Sequence, residues 1–164
     1  DLSGRKWKRL RNIRNKFLKE NQVIIREVKE TDKEDLKNLV TAWKKQRKGL
    51  DREHLSQYLK FIDCSFKGLD LIRVTETNGR ISCISGGWSI PNSKNYYSFF
   101  GLHDYYVKNI GEVSYIDELL EAKKRGFEKV DLGGSEKNLI QFKIKFHPDF
   151  LYKTDTFSVV CRRS

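Results

Sequence analysis

The apolar residues of the first 21 positions recur at helical spacing and leave the opposite face of the pattern almost entirely basic. Ser3 is a suitable N-cap, and the pattern predicts a helix from there to about Asn21. A helix of this kind buries its apolar stripe and exposes its charged face. The apolar positions are Trp7, Leu10, Ile13, Phe17 and Leu18.

One strand and two helices are predicted between residues 22 and 68. The β-branched run at 22–28 is typical of a strand. Thr31 and Glu34 have the spacing of a capping box, which predicts a helix to about Lys48. A second helix is predicted from Leu50 and Asp51 to near residue 68. The residues expected to face inward are Leu36, Leu39, Val40, Trp43, Leu55, Tyr58, Leu59 and Ile62.

The pattern then changes to the alternation that is typical of strands. Strands are predicted at 70–77 and 80–90, joined by the two-residue hairpin turn Asn78-Gly79, and an aromatic-rich strand is predicted at 95–102. A loop at 103–112 leads to a helix that begins at Ser114 and ends at Gly126. The last predicted elements are a strand at 129–132, a helix at 135–146 and a strand at about 154–161.

The predicted order after the first helix is β-α-α-β-β-β-α-β-α-β. A three-stranded meander followed by alternating helices and strands predicts a mixed sheet with helices on both faces, which is an α/β fold. The 164 residues suffice for one such domain and are too few for two. We therefore expect a basic linker helix at 1–21 and a single domain at 22–164.

The basic residues are concentrated in the first helix. Residues 1–21 carry eight Lys and Arg residues against two acidic ones, a net +6 of the chain's +11. This concentration favours an anionic partner such as RNA or a membrane headgroup, and a solvated helix face is the alternative. The residues expected to contact nucleic acid are Arg5, Lys8, Arg9, Arg11 and Lys16.

The cysteines and the hydropathy of the chain favour a cytosolic protein. Cys64, Cys83 and Cys161 are far apart and lack metal-ligand spacing, which indicates reduced thiols, and no metal site is predicted. No stretch approaches the roughly 20 apolar residues of a membrane span, and no signal peptide is recognisable.

The most informative segment follows the predicted strand at 129–132. Gly133 and Gly134 come at the end of this strand, and Ser135 is a suitable N-cap for the helix that carries Lys143. Glycines at a strand's end let the backbone approach a ligand closely, and a helix N-terminus attracts anions. This arrangement predicts a site for a phosphorylated or negatively charged substrate. Asp131, just before the glycines, either orients an amine or bonds to the adjacent loop.

The predicted order of elements from residue 22 onward resembles the acyltransferase fold of the GNAT superfamily of N-acetyltransferases. The terminal strand pair of that fold would be represented by the strand at 154–161 and a remnant of a second strand at 150–153. The resemblance implies that the third meander strand and the strand at 129–132 diverge and form a cleft for the acyl donor at their carboxyl ends. The loops at 103–112 and 132–135 would reach this cleft.

The loop at 103–112 carries part of the pattern by which GNAT members bind acetyl-CoA, namely a basic or amide residue, two spacers, Gly, one spacer and a small residue. Lys108 and Gly111 match, whereas Val113 stands where the small residue belongs and Glu112 brings a negative charge to the diphosphate site. An ordinary loop with a glycine is the alternative. The candidate cofactor-binding residues are Lys108, Gly111, Gly133, Gly134 and Ser135.

Two segments resemble the aminoacyl-tRNA-dependent branch of this fold, which includes the Fem-type peptidoglycan aminoacyltransferases and the C-terminal domain of phosphatidylglycerol lysyltransferases. Residues 2–17 are similar to the helix that links the two acyltransferase-like halves of such proteins. Residues 131–146 are similar to the Fem-type ending, in which a Phe-Lys-x-x-Phe helix follows a Gly-rich turn. The resemblance implies a C-terminal half whose N-terminal half is missing, and the absence of Met fits a segment of a longer protein.

Three residues are candidate catalytic groups. The resemblance implies that Lys143 contacts substrate phosphate or stabilises charge at the reacting carbonyl, as an ammonium in a partly dry cleft does well. Alternatively, Lys143 extends to solvent at the helix end. His103, followed by Asp104, is a candidate general base or else a loop histidine bonded to backbone. Asp131 is the third candidate.

Six aromatic residues lie in or just after the strand at 95–102. Alternate members of a strand pack into the core, and the others could stack on a terminal tRNA base or line a lipid or peptide pocket. The six residues are Tyr96, Tyr97, Phe99, Phe100, Tyr105 and Tyr106.

These observations together predict an acyltransferase that moves an aminoacyl group from aminoacyl-tRNA to an amine or hydroxyl acceptor, such as a lipid headgroup or a peptide. The predicted location is cytoplasmic, with peripheral contact at the inner face of the membrane. One alternative is an acetyl-CoA-dependent N-acetyltransferase. Another is a non-catalytic basic module on a degenerate transferase scaffold that binds RNA or a membrane.

Overall fold

The computed structural model of the protein describes residues 2–47, 54–134 and 137–153. The strands are β1 (Val23–Glu27), β2 (Leu71–Thr77), β3 (Arg80–Ser89), β4 (Asn95–His103) and β5 (Lys129–Asp131). The helices are α1 (Lys8–Glu20), α2 (Lys33–Gln46), α3 (Leu55–Asp63), α4 (Ile110–Lys124) and α5 (Lys137–Ile144). Short 3-10 turns at Arg5–Trp7 and Glu30–Asp32 lead into α1 and α2.

The described strands form one sheet in the order β1-β2-β3-β4-β5. The first four strands are antiparallel neighbours, and β5 pairs with β4 in parallel. The predicted hairpin turn is confirmed, because Asn78 and Gly79 have φ of 53° and 79°, as a tight hairpin requires. The mixed α/β sheet expected from the order of elements is therefore confirmed.

Helices cover both faces of the sheet. Helices α2 and α3 pack on one face through a core that includes Leu36, Val40 and Ile62. Helices α1 and α4 pack on the other face, where Phe17 and Ile110 meet Cys83 of β3. The predicted inward positions of α2 are confirmed, because Leu36, Leu39, Val40 and Trp43 are all buried.

Strand β4 contains a bulge that bears on the site. Ser98 lies opposite Gly87 and Phe100 opposite Gly86, so Phe99 is the extra residue. A bulge of this kind bends its strand and redirects side chains. Tyr96 and Phe100 consequently point into the core, whereas Phe99 is 39% exposed.

Helix α4 begins four residues before the predicted start at Ser114. Asn109 occupies the N-cap in the left-handed conformation with φ 68°, and Val113 N donates to its carbonyl at 3.2 Å. Ile110 and Val113 are fully buried against Phe17. Tertiary packing of these apolar residues extends the helix into the segment predicted to be a loop.

Two predicted helix starts are wrong in detail. Thr31 does not form the expected capping box, because Asp32 accepts from Lys29 N at 2.7 Å and pairs with Arg26 at 2.7 Å. The ion pair with Arg26 of β1 therefore fixes Asp32 as the acidic residue that caps the turn before α2. Near the N-terminus, Ser3 is not the N-cap, since the chain enters α1 through a 3-10 turn that Gly4 caps, and Trp7 is the N-cap of α1 itself.

Other predictions fail at the ends of elements or lie outside the described residues. Helix α3 ends at Asp63 and not near residue 68, because Ser65 and Phe66 have positive φ and Phe66 turns into the core. Leu18 is 37% exposed and lies outside the apolar stripe of α1. Residues 150–153 form no strand. The predicted helix start at 50–51, the cap at residue 135 and the strand at 154–161 lie outside the described residues.

Candidate functional site

Strands β4 and β5 pair over only three residues and then separate. Asn95 lies opposite Lys129 and Tyr97 opposite Asp131, where β5 ends, while β4 continues to His103. The segments that follow the two strands therefore start at different levels of the sheet. We call residues 131–134 the glycine turn and residues 103–112 the β4–α4 segment.

The conformation of the glycine turn requires a glycine at position 133. Gly133 has φ of 67°, and its N–H donates to Asp131 Oδ1 at 2.8 Å. A Cβ at this position would lie 2.7 Å from Tyr97 Oη, which is closer than real Cβ contacts allow. Backbone conformation and packing thus both disfavour a side chain at residue 133, and the backbone of the turn lies directly against Tyr97.

Lys143 of α5 reaches back to the glycine turn. Its ammonium donates to Leu132 O and, at 3.3 Å, to Gly133 O. Burial lowers the pKa of Lys143, and the nearby Asp131 carboxylate acts in the opposite direction. A lysine ammonium has three N–H donors. Two of them bond to the turn in the described structure, which leaves one donor for a ligand oxygen.

Asp131 shapes this turn with both carboxylate oxygens. One oxygen accepts from Gly133 N, and the other accepts from the Tyr152 hydroxyl. That hydrogen bond to Asp131 raises the pKa of Tyr152 to about 12. Burial, reinforced by the Asp131 charge, also raises the pKa of Tyr97. The carboxylate is therefore placed to hold the turn and Tyr152 beside Lys143.

The β4–α4 segment is more closed. The ring of His103 lies on the backbone of Gly111, so that a Cβ at Gly111 would be 3.2 Å from His103 Cε1. The same ring meets Tyr105 edge-on at 4.9 Å. Burial lowers the pKa of His103, with the carboxylates of Glu112 and Asp104 acting in the opposite direction. His103 is therefore neutral at pH 7 and packed against the first turn of α4.

Hydrogen bonds to α2 fix the position of Asp104. Its Oδ1 accepts from Gln46 Nε2 at 3.0 Å and from Tyr106 N at 2.9 Å. Gln46 Oε1 in turn accepts from Tyr105 N at 2.8 Å. These bonds hold the segment after β4 against α2 and occupy the carboxylate that could have served beside His103.

The first turn of α4 fits the diphosphate of a coenzyme poorly. Gly111 is buried beneath His103, so its amide does not face open solvent. Glu112 places a carboxylate in the same turn, bonded to Lys145 Nζ at 2.8 Å. Val113 is fully buried in the core and does not obstruct the segment. The negative charge and the covered glycine, rather than the size of Val113, make this turn unsuitable.

The structure brings some predicted site residues together and separates others. Asp131, Gly133 and Lys143 meet at the glycine turn, with the exposed Gly134 beside them, whereas His103 and Gly111 meet at the other end of β4. Tyr97 and His103 are six residues apart on β4, which corresponds to about 20 Å of strand. In the described residues, Lys143 bonds to the glycine turn, whereas His103 packs on Gly111 and Tyr105. Ser135 lies outside the described residues.

A polar groove of about 830 Å³ lies beside the β4–α4 segment, between α1, α2 and the β2–β3 hairpin. It does not include the glycine turn or Lys143. Lys108, which the sequence suggested for a cofactor, is exposed at its edge. Its charged lining residues are of both signs, namely Lys16, Arg80, Lys108, Glu20, Asp35 and Asp104. This mixture provides no preference for an anion.

Solved structures with a similar fold include acyltransferases. L-PGS from Bacillus licheniformis superposes with a TM-score of 0.65 and 18% identity over 90% of this chain and 53% of that one. The C-terminal domain of a putative lysylphosphatidylglycerol synthetase from Agrobacterium fabrum gives 0.66 and 13% over 91% and 53%. An aminoglycoside acetyltransferase from an uncultured soil metagenomic sample, in complex with sisomicin, gives 0.62 and 14% over 85% and 97%.

The chain has the GNAT acyltransferase fold. It spans about half the length of the two synthetase structures. No model of a known protein family matches the sequence. No curated protein matches it by sequence either.

The basic helix α1 is packed onto this GNAT fold and has a defined orientation. Leu10 and Phe17 are buried against α4, α5 and β3, which leaves most of the charged face in solvent. Arg5, Lys8 and Arg9 are exposed. The remaining two candidates differ: exposed Lys16 pairs with Glu20 at 3.7 Å, and partly buried Arg11 donates to Leu2 O and Gly4 O. Arg11 therefore holds the N-terminal turn.

The described residues offer no side-chain cluster for a metal ion and no membrane-spanning helix. No group of three or more His, Cys, Asp or Glu side chains there could hold a metal ion. No helix among them is both long and apolar enough to cross a bilayer.

Sequence reasoning gave no role to Trp88, Tyr152 or Glu118. Trp88 lies against Tyr97 at 5.0 Å between ring centroids, and Tyr152 bonds to Asp131. Glu118 is 1% exposed under β4, where Tyr96 donates to it at 2.9 Å. An acidic residue on the apolar face of a predicted helix was the available signal for Glu118. Trp88 and Tyr152 give no comparable signal, because only folding brings Trp88 to Tyr97 and Tyr152 to the glycine turn.

Proposed function

We propose that the chain is an acyltransferase that moves an aminoacyl group from aminoacyl-tRNA to an amine or hydroxyl of an acceptor, such as a lipid headgroup or a peptide. The observation that carries this proposal is the partly buried ammonium of Lys143, held by two backbone carbonyls beside the glycine turn where β4 and β5 separate. The GNAT fold supports acyl transfer as the class of reaction.

Lys143 has the position and the charge to act on an acyl ester. When an amine or hydroxyl attacks the ester carbonyl, negative charge develops on the carbonyl oxygen, and a fixed cation in a partly dry site stabilises it. The acyl carbon then forms a bond to the acceptor, and the ester oxygen of the RNA leaves as a hydroxyl with a proton. Such a direct transfer depends mainly on positioning and needs no nucleophilic side chain. Asp131 would position the turn that holds Lys143.

The basic face of α1 supports RNA as the carrier of the donor. Arg5, Lys8 and Arg9 project into solvent on a helix that is fixed at both ends of its apolar stripe. Contacts between such side chains and phosphates release counterions, so the affinity should fall steeply with salt. Exposed Lys16 would add to this surface, whereas Arg11 would act only through the helix turn that it stabilises.

The likeness to synthetase structures about twice as long supports a second acyltransferase-like half that precedes residue 1 in the whole protein. In that arrangement, residues 1–21 would link the halves and 22–164 would form the C-terminal one. The protein would act in the cytoplasm, with peripheral contact at the inner face of the membrane if the acceptor is a lipid. An upstream sequence that encodes an unrelated domain would contradict this arrangement.

An acetyl-CoA-dependent N-acetyltransferase is the second candidate, because the aminoglycoside acetyltransferase has the same fold over nearly its full length. The covered Gly111 and the carboxylate of Glu112 count against it. A non-catalytic module that binds RNA or a membrane would use α1 alone and would not need the ammonium of Lys143 at the glycine turn.

Transfer of label distinguishes these functions. The chain is incubated with tRNA charged with a mixture of radiolabelled amino acids, together with phosphatidylglycerol vesicles or an amine-bearing peptide. We expect label to leave the RNA and to appear in an acceptor only when the protein is present. Release of free coenzyme A from acetyl-CoA with the same acceptors would favour the second candidate. Charged tRNA that stays intact with every acceptor would refute the aminoacyl proposal.

A further inference from the structure

Four aromatic side chains form a continuous surface that leads to the glycine turn. Trp88 of β3 is the centre of this surface, with ring centroids 5.0 Å from Tyr97 and 4.9 Å from Phe99. Phe61 of α3 extends it, 5.7 Å from Phe99. We call these four residues the aromatic shelf. All of them are partly or largely accessible, unlike Tyr96 and Phe100 on either side of the bulge, which are buried.

The bulge in β4 produces the shelf. In a regular strand, side chains alternate between the two faces of the sheet, so Ser98 and Phe100 would point to the same face. The register shift opposite Gly86 and Gly87 inserts Phe99 and turns its ring outward beside Trp88. Gly87 contributes as well, since a Cβ there would lie 1.8 Å from Tyr97 O. The backbone of β3 and β4 is therefore arranged so that these rings meet at the surface and not in the core.

One end of the shelf coincides with the proposed reaction centre. Tyr97 Oη lies against Gly133, and the carbonyl of Gly133 accepts from Lys143. In an aminoacylated RNA, the ester and the terminal base are carried by the same ribose. A site that holds the ester carbonyl at Lys143 therefore has the terminal base within one nucleotide's reach, and the rings of Tyr97, Trp88 and Phe99 are the flat surfaces found there.

We infer that the aromatic shelf binds the terminal base of the RNA donor by stacking, an inference that rests on the proposed function. Single-stranded RNA ends are recognised in this way, with unstacked bases placed on aromatic side chains. The stacking is tolerant of base identity, because every base has a π-face. The shelf would thus position the ester without reading the sequence of the RNA.

The contacts between α1 and α5 provide a route from the basic face to the shelf. His147, just beyond α5, lies edge-on to Trp7 at 5.1 Å and is 2.9 Å from Lys6 O. Lys143 lies in the last turn of α5, four residues before His147, so its ammonium and the contact with α1 are at the same end of the helix. An RNA strand held by Arg5 and Lys8 can therefore reach Lys143 with its last few nucleotides. The charge of the chain, +11, complements such a strand and would not select a neutral acyl chain.

Removal of a single base tests this inference. The probes are two short single-stranded RNAs that end in CCA, one intact and one in which the last nucleotide lacks its base, at one fixed salt concentration. Binding is measured by fluorescence anisotropy. The difference in tryptophan quenching between the unchanged chain and Trp88→Leu provides a second readout, because Trp7 and Trp43 are present in both. Stacking of one base predicts that the chain binds the intact RNA about tenfold more tightly than the abasic one.

The variants Trp88→Leu and Phe99→Leu keep apolar volume but remove a ring. We expect each to reduce this tenfold ratio to less than about threefold while leaving the affinity for the abasic RNA unchanged, since α1 still binds the phosphates. Tyr106→Leu is the matched control, because this ring is 86% exposed and lies outside the shelf. It should keep the full ratio. Thermal unfolding of each variant checks that it is folded.

The outcomes separate this inference from the proposed function. If both RNAs bind equally well to the unchanged chain, the shelf does not hold a base, although RNA can still be the donor. If neither RNA binds, the RNA donor is refuted together with the inference. If the shelf variants lose binding to phosphatidylglycerol vesicles and keep the tenfold RNA ratio, the occupant of the shelf is a lipid and the inference is wrong. If Trp88→Leu reduces the quenching and the ratio together, the inference is supported.

Discussion

The glycine turn and the β4–α4 segment each pair a glycine with a nearby basic residue, yet the folded chain uses them differently. At the glycine turn, Gly133 has a positive φ and stays partly exposed beside Lys143, although Tyr97 packs against it. At the other end of β4, Gly111 is helical and is buried under His103. A glycine in a sequence motif therefore indicates a ligand site only when the fold leaves that glycine partly exposed.

Charge strengthens this contrast. The ammonium of Lys143 is bonded to two neutral carbonyls and keeps one N–H donor for a ligand. The Asp131 carboxylate does not occupy this donor, because its oxygens accept from Gly133 N and the Tyr152 hydroxyl. In the β4–α4 segment, Glu112 is neutralised by Lys145 and Asp104 is bonded to Gln46. The cation at the glycine turn thus keeps a donor for a substrate oxygen, whereas the carboxylates of the β4–α4 segment are bonded to side chains of other segments.

Replacement of Lys143 should produce the largest effect. Lys143→Met removes the cation at the proposed oxyanion position while keeping the length of the side chain, and we expect transfer to slow by about 100- to 1000-fold. His103→Gln should slow it by less than about threefold, because that ring is covered and lies far along β4. Both are measured as kcat/KM for transfer from charged tRNA.

Lys145→Met is the matched control for this comparison, because it removes an ammonium two residues away on the same segment. It should behave like the unchanged chain apart from a small loss of stability. Equal losses for Lys143→Met and His103→Gln would show that the two ends of β4 act together, which the separation of the two groups argues against.

Glu118 should produce the next largest effect, on stability, because it lies under β4 between the two ends. Burial raises the pKa of Glu118 to about 7, partly opposed by the hydroxyls of Ser98, Tyr96 and Ser85. The folded chain then binds this proton more tightly than the unfolded chain does. The stabilisation is complete below the unfolded pKa near 4.5 and is lost as the pH rises to about 7. A difference of this size corresponds to about 3 kcal/mol.

Urea unfolding from pH 4.5 to 8 measures this dependence. Glu118→Gln should flatten the profile and stabilise the chain at pH 8, because no buried charge has to form. Glu34→Gln is the control, since its side chain is 83% exposed, and it should leave the profile unchanged. A profile that rises with pH through this window would contradict the assignment and would indicate that Glu118 is ionised in the folded chain.

Alanine at each of the two glycines tests the comparison directly. Gly133→Ala must adopt a positive φ and must also displace Tyr97, so we expect a loss of about 2 kcal/mol in the free energy of unfolding. Gly111→Ala lies in a helix and meets only the edge of His103, and its change should stay within about 0.5 kcal/mol.

Gly126→Ala separates the cost of the positive φ from the cost of the contact with Tyr97. Gly126 has φ of 87° and open space around a Cβ, so this variant reports backbone strain alone, on the order of 1 kcal/mol. Equal losses in the free energy of unfolding for Gly126→Ala and Gly133→Ala would mean that the contact with Tyr97 does not contribute to the loss at residue 133. A loss at 111 that matches the loss at 133 would remove the distinction between the two segments.

Local sequence signals predicted the regular parts of the fold well and its junctions poorly. The turn Asn78-Gly79 and the inward face of α2 follow from backbone chemistry and periodicity, and both are confirmed. The start of α4 could not be predicted in this way, because burial of Ile110 and Val113 overrides the cap at Ser114. Likewise, the pairing of Arg26 with Asp32 decides where α2 begins.

The same distinction between local signals and tertiary contacts applies to the candidate site. The residue types at Asp131, Gly133 and Lys143 pointed to one turn, because they are close in sequence and the turn chemistry of glycine is local. Tyr152 reaches the same turn from a distant segment, and Trp88 packs on Tyr97, which contacts that turn. The bulge that exposes Phe99 depends on the register between β3 and β4. Single-sequence patterns carry no information about such register shifts.

The smallest expected effect belongs to the ion pair that connects the two ends of β4. Lys145 Nζ lies 2.8 Å from Glu112 Oε1, and the two side chains are 37% and 14% exposed. A double-mutant cycle of Glu112→Gln and Lys145→Met should give a coupling energy of at most about 1 kcal/mol, decreasing with added salt. If the pair only fastens α5 to α4, neither variant should change the transfer rate by more than about twofold. A transfer rate that falls in step with the lost coupling would mean that the β4–α4 segment positions Lys143, and the two ends of β4 would then have to be regarded as one site.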